Sequence, residues 1–290
     1  MEGRKDTKNL SRFPSLLLRL IARLPLPLLH RLGSVLGWAV YGMSPTYRRH
    51  LRENLAQAGY TEARVRRAAI AAAGRMVAEL PALWFRPHES VVRLVKEVEG
   101  LDAALAAHAQ GRPVVFLTPH MGCFEVAAQY AASRMPITVL YRPPKIGWLE
   151  PLMQEGRARP NVRLVPADVS GVRAVLAALK RGEAAGFLPD QVPGEGEGEW
   201  ADFFGRRAYT MTLAARLAGR DGVLCFLAYA KRLPRGAGYA IAIRRYPESY
   251  PQENPIRRLN RALEALVREC PEQYLWGYNR YKTPRGAKPQ

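Results

Sequence analysis

The sequence predicts an α/β protein, with a central, mainly parallel mixed sheet flanked by helices and an amphipathic helical region at its amino-terminal end. Three observations carry this. From Arg112 onward, short β-branched or aromatic runs alternate with helical patterns, the arrangement that builds parallel strands covered by helices. Before that point the pattern is helical. The chain has 290 residues, 48% apolar and 24% charged, enough to bury a core without disulfide or metal staples.

The elements follow in order. Ser15–Met43 is leucine-rich but broken by Arg19, Arg23, Pro25, Pro27, His30 and Arg31, and its clean part, Leu32–Met43, is too short to span a bilayer. Charges inside the apolar run also argue against a cleavable signal peptide. On a helical wheel Arg12, Arg19 and Arg23 share one face, while Leu16, Leu17, Leu20, Ile21 and Leu24 cover much of the rest. Such a helix lies flat on an anionic bilayer or packs on the protein's own core. Ser44-Pro45 reads as N-cap and first residue of a helix through Gln57. Thr61 caps a longer alanine-rich helix interrupted near Pro81. Residues 1–60 are thus read as a membrane-associating segment and 61–290 as a single catalytic domain.

Strands are expected at Pro113–Thr118, Pro136–Tyr141, Val162–Pro166, Ala184–Pro189, Val223–Ala230 and Tyr239–Tyr246. Helices fall at Phe124–Ser133, Trp148–Arg157 and Val169–Arg181 between the first four, and at Arg257–Cys270 before a basic, aromatic tail. The stretch Gly194–Trp200, GEGEGEW, reads as a loop and is the acidic island of a basic protein.

Forty-four Lys and Arg against 25 acids give a net charge of +19, so the expected partners are anionic. The first sixty residues hold ten of those cations and three acids. Nucleic acid is excluded as a partner, because the basic tracts RVRR, RRY and NRYK sit in no recognition module. Cys123, Cys225 and Cys270 share no short spacing, which fits a reducing compartment and no zinc module.

Ligands of open α/β sheets sit at the carboxyl ends of the strands. The first apolar strand runs into TPHMGCFE, where His120 leaves the strand and Glu125 opens the next helix. If the chain bends between them, Glu125 orients the imidazole and His120 takes a proton from an attacking hydroxyl. Cys123 between them reads as a small apolar filler. Backbone N–H groups around Met121–Cys123 are candidate oxyanion donors.

Further blocks follow: YRPPK (Tyr141–Lys145), EGRARPN with Arg157, GFLPDQVP with Asp190 and Gln191, ADFFGRRAYT (Ala201–Thr210) and LWGYNRYK (Leu275–Lys282). In this order, and with RHLRENL (Arg49–Leu55) before them, they resemble the bacterial late acyltransferases of lipid A biosynthesis, within the glycerolipid acyltransferases that carry a His-x4-Asp/Glu motif. The resemblance covers nearly the whole chain. It implies His120 as general base with Glu125 as partner, and Arg142, Arg157, Asp190 and Gln191 as substrate contacts. Phe204-Gly205 and Thr210 would shape the pocket. It further implies an acyl carrier protein as thioester donor, an anionic lipid acceptor, the inner membrane surface as workplace, and neither metal nor organic cofactor. A lysophospholipid, aminolipid or glycolipid acceptor is the alternative within the same chemistry.

Overall fold

The computed structural model describes residues 12–144, 146–284 and 286. The cationic residues Arg4, Lys5 and Lys8, as well as Lys145, lie outside the described residues, as does the side chain of Arg12.

Two helices open the described chain, α1 (Arg12–Ile21) and α2 (Leu26–Met43). Leu16, Leu17 and Leu20 of α1 are exposed, as are Leu32, Val35 and Trp38 of α2. Arg19, read with Arg12 and Arg23 on one cationic face of the helix, reaches other parts of the protein, donating to Glu155 at 2.5 Å and lying 4.8 Å over the Phe85 ring. The apolar side of this region therefore points outward. The inner side of α2 is flat because it carries Gly33 and Gly37, set against Gly74 of α4 (Ala63–Ala78). A Cβ on Gly37 would run into the Ile70 carbonyl and one on Gly74 into the Gly33 carbonyl, so small residues are what allow the two backbones to touch.

Helix α3 (Pro45–Gln57) starts as expected, with the Ser44 hydroxyl accepting from the Tyr47 amide at 3.3 Å. Helix α4 is capped differently from expectation. Its N-cap is Glu62, not Thr61, with no side-chain cap bond. With the short α5 (Leu80–Phe85) it makes a 23-residue run, Ala63–Phe85, long and apolar enough for a membrane span by length and composition alone. More than half of its apolar stretch is buried inside this molecule, which is how a core helix reads. The helix α6 (His88–Val92) leads into the sheet.

The sheet has seven strands: β1 (Val95–Glu99), β2 (Val114–Leu117), β3 (Ile137–Tyr141), β4 (Val162–Pro166), β5 (Ala184–Phe187), β8 (Leu224–Arg232) and β9 (Tyr239–Arg245), in the order β1-β9-β8-β2-β5-β3-β4. Strands β8, β2, β5, β3 and β4 are mutually parallel; β9 runs antiparallel to β8, and β1 parallel to β9. The central strands β2 and β5 are buried along their length, as a sheet covered on both faces requires. The coverings are α7 (Asp102–Ala109), α8 (Phe124–Ala132), α9 (Leu149–Arg157), α10 (Val169–Lys180) and α12 (Pro255–Glu269).

Strand β1, VKEVE, escapes sequence reading because its side chains are mostly exposed and its two valines give little apolar signal. The acidic loop also proves shorter than expected. From Gly198 the chain forms β6 (Gly198–Phe203), paired antiparallel with β7 (Arg206–Met211), and α11 (Thr212–Ala218) follows. Phe204-Gly205 is the turn of that hairpin, with both residues at positive φ. The aromatic tail after α12 folds inward, burying Tyr274, Trp276 and Arg280.

Candidate active site

Strand β2 ends at Leu117 and the chain turns through Pro119, His120 and Gly122 into α8. Strand β5 ends at Phe187, and three residues later comes Asp190. Because β2 and β5 are neighbours in register, with Leu117 opposite Phe187, residues seventy positions apart leave the sheet side by side. His120 Nδ1 lies 2.7 Å from Asp190 Oδ1, and the other carboxylate oxygen accepts the His120 backbone amide at 2.9 Å. An ionised Asp190 is an acceptor at both oxygens, so Nδ1 carries the proton and Nε2 presents a lone pair. Gln191 Nε2 sits 3.2 Å from that Nε2.

Asp190 is buried, which by itself pushes its carboxyl up. The His120 ring and amide and the guanidinium of Arg280 outweigh this and hold it below the ordinary carboxylate range. Arg280 is buried and fixed through donations to the Tyr209 carbonyl and the Thr210 hydroxyl, both at 2.7 Å. Sequence reading quoted Arg280 only within the LWGYNRYK block. The available signal was a cation set among aromatic residues, which pattern alone does not separate from an exposed tail. Thr210 likewise serves this support, bonding Asn260 and Arg280.

Glu125 is placed otherwise than expected. It sits in the first turn of α8, where the helix dipole favours a carboxylate, and Arg157 sits in the last turn of α9, where it favours a cation. The two meet in a forked pair: Arg157 Nε donates to both Glu125 oxygens at 2.9 and 3.1 Å, and Nη2 reaches Oε1. The carboxylate against the imidazole is thus Asp190, and Glu125 is engaged by Arg157. The five-residue separation along a helix start turns His120 and Glu125 apart, and the helix dipole draws Glu125 to a cation.

The Met121–Cys123 amides are also otherwise engaged. They donate to the carbonyls of Pro119 (2.7 Å), Gln273 (3.0 Å) and Ala230 (2.7 Å). The turn is welded to the end of β8 and the segment after α12, which consumes the donors expected for an oxyanion. Gly122 is required there: it has φ +56°, and a Cβ would strike the Ala230 carbonyl. Arg232, buried at the end of β8, adds a bond to the Gly122 carbonyl at 2.7 Å and pairs with Glu79 at 2.6 Å. Glu79 is completely buried, and also contacts His30 of α2 and the Tyr239 hydroxyl, each at 3.0 Å. Burial raises its carboxyl, while Arg232 and His30 bring it below its ordinary value. Cys123 is buried and burial drives its thiol well above the usual range, so it is no thiolate nucleophile.

A cavity of about 290 Å³ lies between the sheet and α8; Asp190, expected as a substrate contact, is instead bonded to His120 and is not among the residues that line it. His120, Glu125, Arg142, Arg157 and Gln191 line it together with a larger set of apolar side chains. Arg142 is half exposed and donates to Glu197 of the acidic loop at 2.8 Å. An imidazole backed by a buried carboxylate, beside the Glu125–Arg157 ion pair and an apolar cavity, is equipped for proton transfer on a substrate with a long hydrocarbon part.

The fold and this arrangement define an α/β enzyme with a His–Asp pair at the strand exits. The sequence pattern of the family described as bacterial lipid A biosynthesis acyltransferase matches residues 11–283, and the chain belongs to that family. It is an acyltransferase. Similar proteins include the lipid A biosynthesis palmitoleoyltransferase of Escherichia coli K12, 30% identical over 213 residues, covering 72% of this chain and 69% of that protein. The lauroyltransferase of the same organism is 27% identical over 282 residues, covering 92% and 90%. Its myristoyltransferase is 25% identical over 280 residues, covering 91% and 83%.

Proposed function

We propose that this enzyme moves a fatty acyl chain from an acyl carrier protein thioester to a hydroxyl of a lipid A precursor, working on the cytoplasmic face of the inner membrane. The observation that carries the reading is the imidazole at an apolar cavity, its Nδ1 held by a buried carboxylate. The acceptor hydroxyl takes the place of the Gln191 amide on His120 Nε2, and Nε2 takes its proton as that oxygen bonds to the thioester carbonyl carbon. The tetrahedral oxyanion then collapses, the carbon–sulfur bond breaks, and the departing thiolate takes the proton from Nε2. Asp190 keeps the ring in the required tautomer and stabilises the imidazolium throughout. With the neighbouring backbone amides engaged elsewhere, the oxyanion is met by side-chain donors, Gln191 and the Arg157 guanidinium that Glu125 orients. Arg142 contacts the phosphate of donor or acceptor in place of Glu197.

The membrane part of the reading is supported by the outward leucines, valine and tryptophan of α1 and α2. Contiguous apolar surface of this kind marks an interaction site, and α1 has its inner side committed to Glu155 and Phe85. A net charge of +19 steers both an acidic carrier protein and an anionic bilayer toward the enzyme.

The test is transfer from acyl carrier protein thioesters to a panel of lipids presented in vesicles: lipid A precursor, lysophospholipid, aminolipid and glycolipid. Product mass on the lipid A precursor supports the reading. Transfer confined to another lipid replaces the acceptor, and transfer from coenzyme A alone replaces the donor.

A further inference from the structure

The floor of the cavity is the sheet, and its centre is a residue with no side chain. Gly186 in β5 stands in register between Phe116 of β2 and Val139 of β3, and all three line the cavity. Its neighbours Ala185 and Phe187 belong to the core on the opposite face, as strand alternation demands. Glycine weakens a buried strand, so its presence here asks for a reason. Conformation is not that reason, since Gly186 is not among the positive-φ glycines. Nor is close packing. A Cβ would meet Ile137 Cδ1 at 3.4 Å and Val139 Cγ2 at 3.5 Å, which is ordinary contact. Gly186, Ile137 and Val139 all line the cavity, so a longer side chain at 186 is set among the groups that shape it.

We infer that Gly186 sets the depth of the hydrocarbon slot and so the longest acyl chain this enzyme transfers. The inference rests on the acyl-transfer reading above. Gly186 is in register with Phe116, one residue before β2 ends at Leu117, and His120 follows three residues later in the turn, so Gly186 lies on the strand floor up to ~13 Å of extended chain below His120 at ~3.3 Å per residue. At that depth it meets the distal methylenes of a bound chain and not the thioester. A side chain there shortens the slot without touching the chemistry. Relatives named for palmitoleoyl, lauroyl and myristoyl transfer are named for chains of different lengths, so slot depth is a property that has to vary on a shared fold.

The experiment compares wild type with Gly186→Ala and Gly186→Val. Acyl carrier protein is charged in turn with octanoyl, decanoyl, lauroyl, myristoyl and palmitoyl groups, and lipid A precursor in vesicles is the acceptor. For Gly186→Val we expect the optimum to move to a shorter chain. Its kcat/KM for the longest wild-type substrate should fall at least about tenfold, the order set by mismatched methylenes in an apolar pocket, and the loss should shrink step by step as the donor chain shortens. Gly186→Ala should shift the same way by less, and it decides the matter if the valine variant fails to fold. An unchanged chain-length profile overturns the inference, as does an equal loss on every donor with an unaltered unfolding midpoint. Displacement of a fluorescent fatty acid by free fatty acids of the same lengths reads the slot without turnover. Length-dependent binding that shifts in the variants, from a wild type that transfers nothing, overturns the reaction and upholds the slot.

Discussion

Asp190 grips His120 twice, one carboxylate oxygen on ring Nδ1 at 2.7 Å and the other on the backbone amide at 2.9 Å. The clamp fixes ring rotation, tautomer and the position of the turn together. Asp190→Asn should therefore leave the fold standing and lower kcat by about 10²–10⁴-fold, the range of a general-base contribution. His120→Ala should abolish transfer with thermal unfolding nearly unchanged. Retention of activity within about tenfold of wild type in the alanine variant would remove the base assignment. Glu125→Gln, acting through Arg157, should lower kcat without moving the acid limb of the pH–rate profile, whereas a shifted limb would return Glu125 to the imidazole.

Acid should destabilise the protein through the same carboxylate. Asp190 has its folded-state pKa held below the ordinary value, with burial outweighed by His120 and Arg280. A depressed carboxylate contributes stability that is present above its unfolded pKa, about 3.9, and is lost as pH falls through the lower folded value. The unfolding midpoint of wild type should drop below roughly pH 4. Asp190→Asn should start lower and fall less steeply, and parallel curves for the two proteins would contradict the linkage.

Glu79 and Arg232 form a buried pair that also holds the Gly122 carbonyl. Removing one partner strands a charge in the interior and costs about 3–5 kcal/mol. Denaturant unfolding of Arg232→Met and Glu79→Leu should each show a loss of that order, with activity declining in step. A loss below about 1 kcal/mol would place the pair in contact with solvent.

On the outer face of α2, Leu32→Asp and Val35→Asp change residues that are 51% and 69% exposed. Their stability in solution should alter by less than about 0.5 kcal/mol. Sedimentation with vesicles rich in anionic lipid should weaken several-fold. Unchanged vesicle binding would move the membrane contact away from this face.

Close packing of α2 on α4 gives a contrasting case a few residues away. Gly37→Val drives side-chain atoms into the Ile70 carbonyl and should cost about 1–3 kcal/mol by overpacking. Equilibrium unfolding reads it directly, and a neutral result would mean the two helices stand apart in solution.

Local pattern determined a good deal here. Val162–Pro166 and the Ser44 cap sit where the residues alone put them, because β-branched runs and capping hydroxyls act within a few positions of the chain. The same local logic set His120 at a strand exit. Partnership was decided in three dimensions. Asp190 reaches His120 across seventy residues because β5 lies beside β2, and strand order leaves no trace in spacing. Glu125 turned to Arg157 because two helix ends of opposite polarity face each other. The Met121–Cys123 amides were consumed by β8 and the segment after α12, and Arg19 reached a carboxylate on α9. Sequence fixes what each group can do over one or two turns of chain; which groups meet depends on how distant elements stack, a free-energy minimum of the whole core.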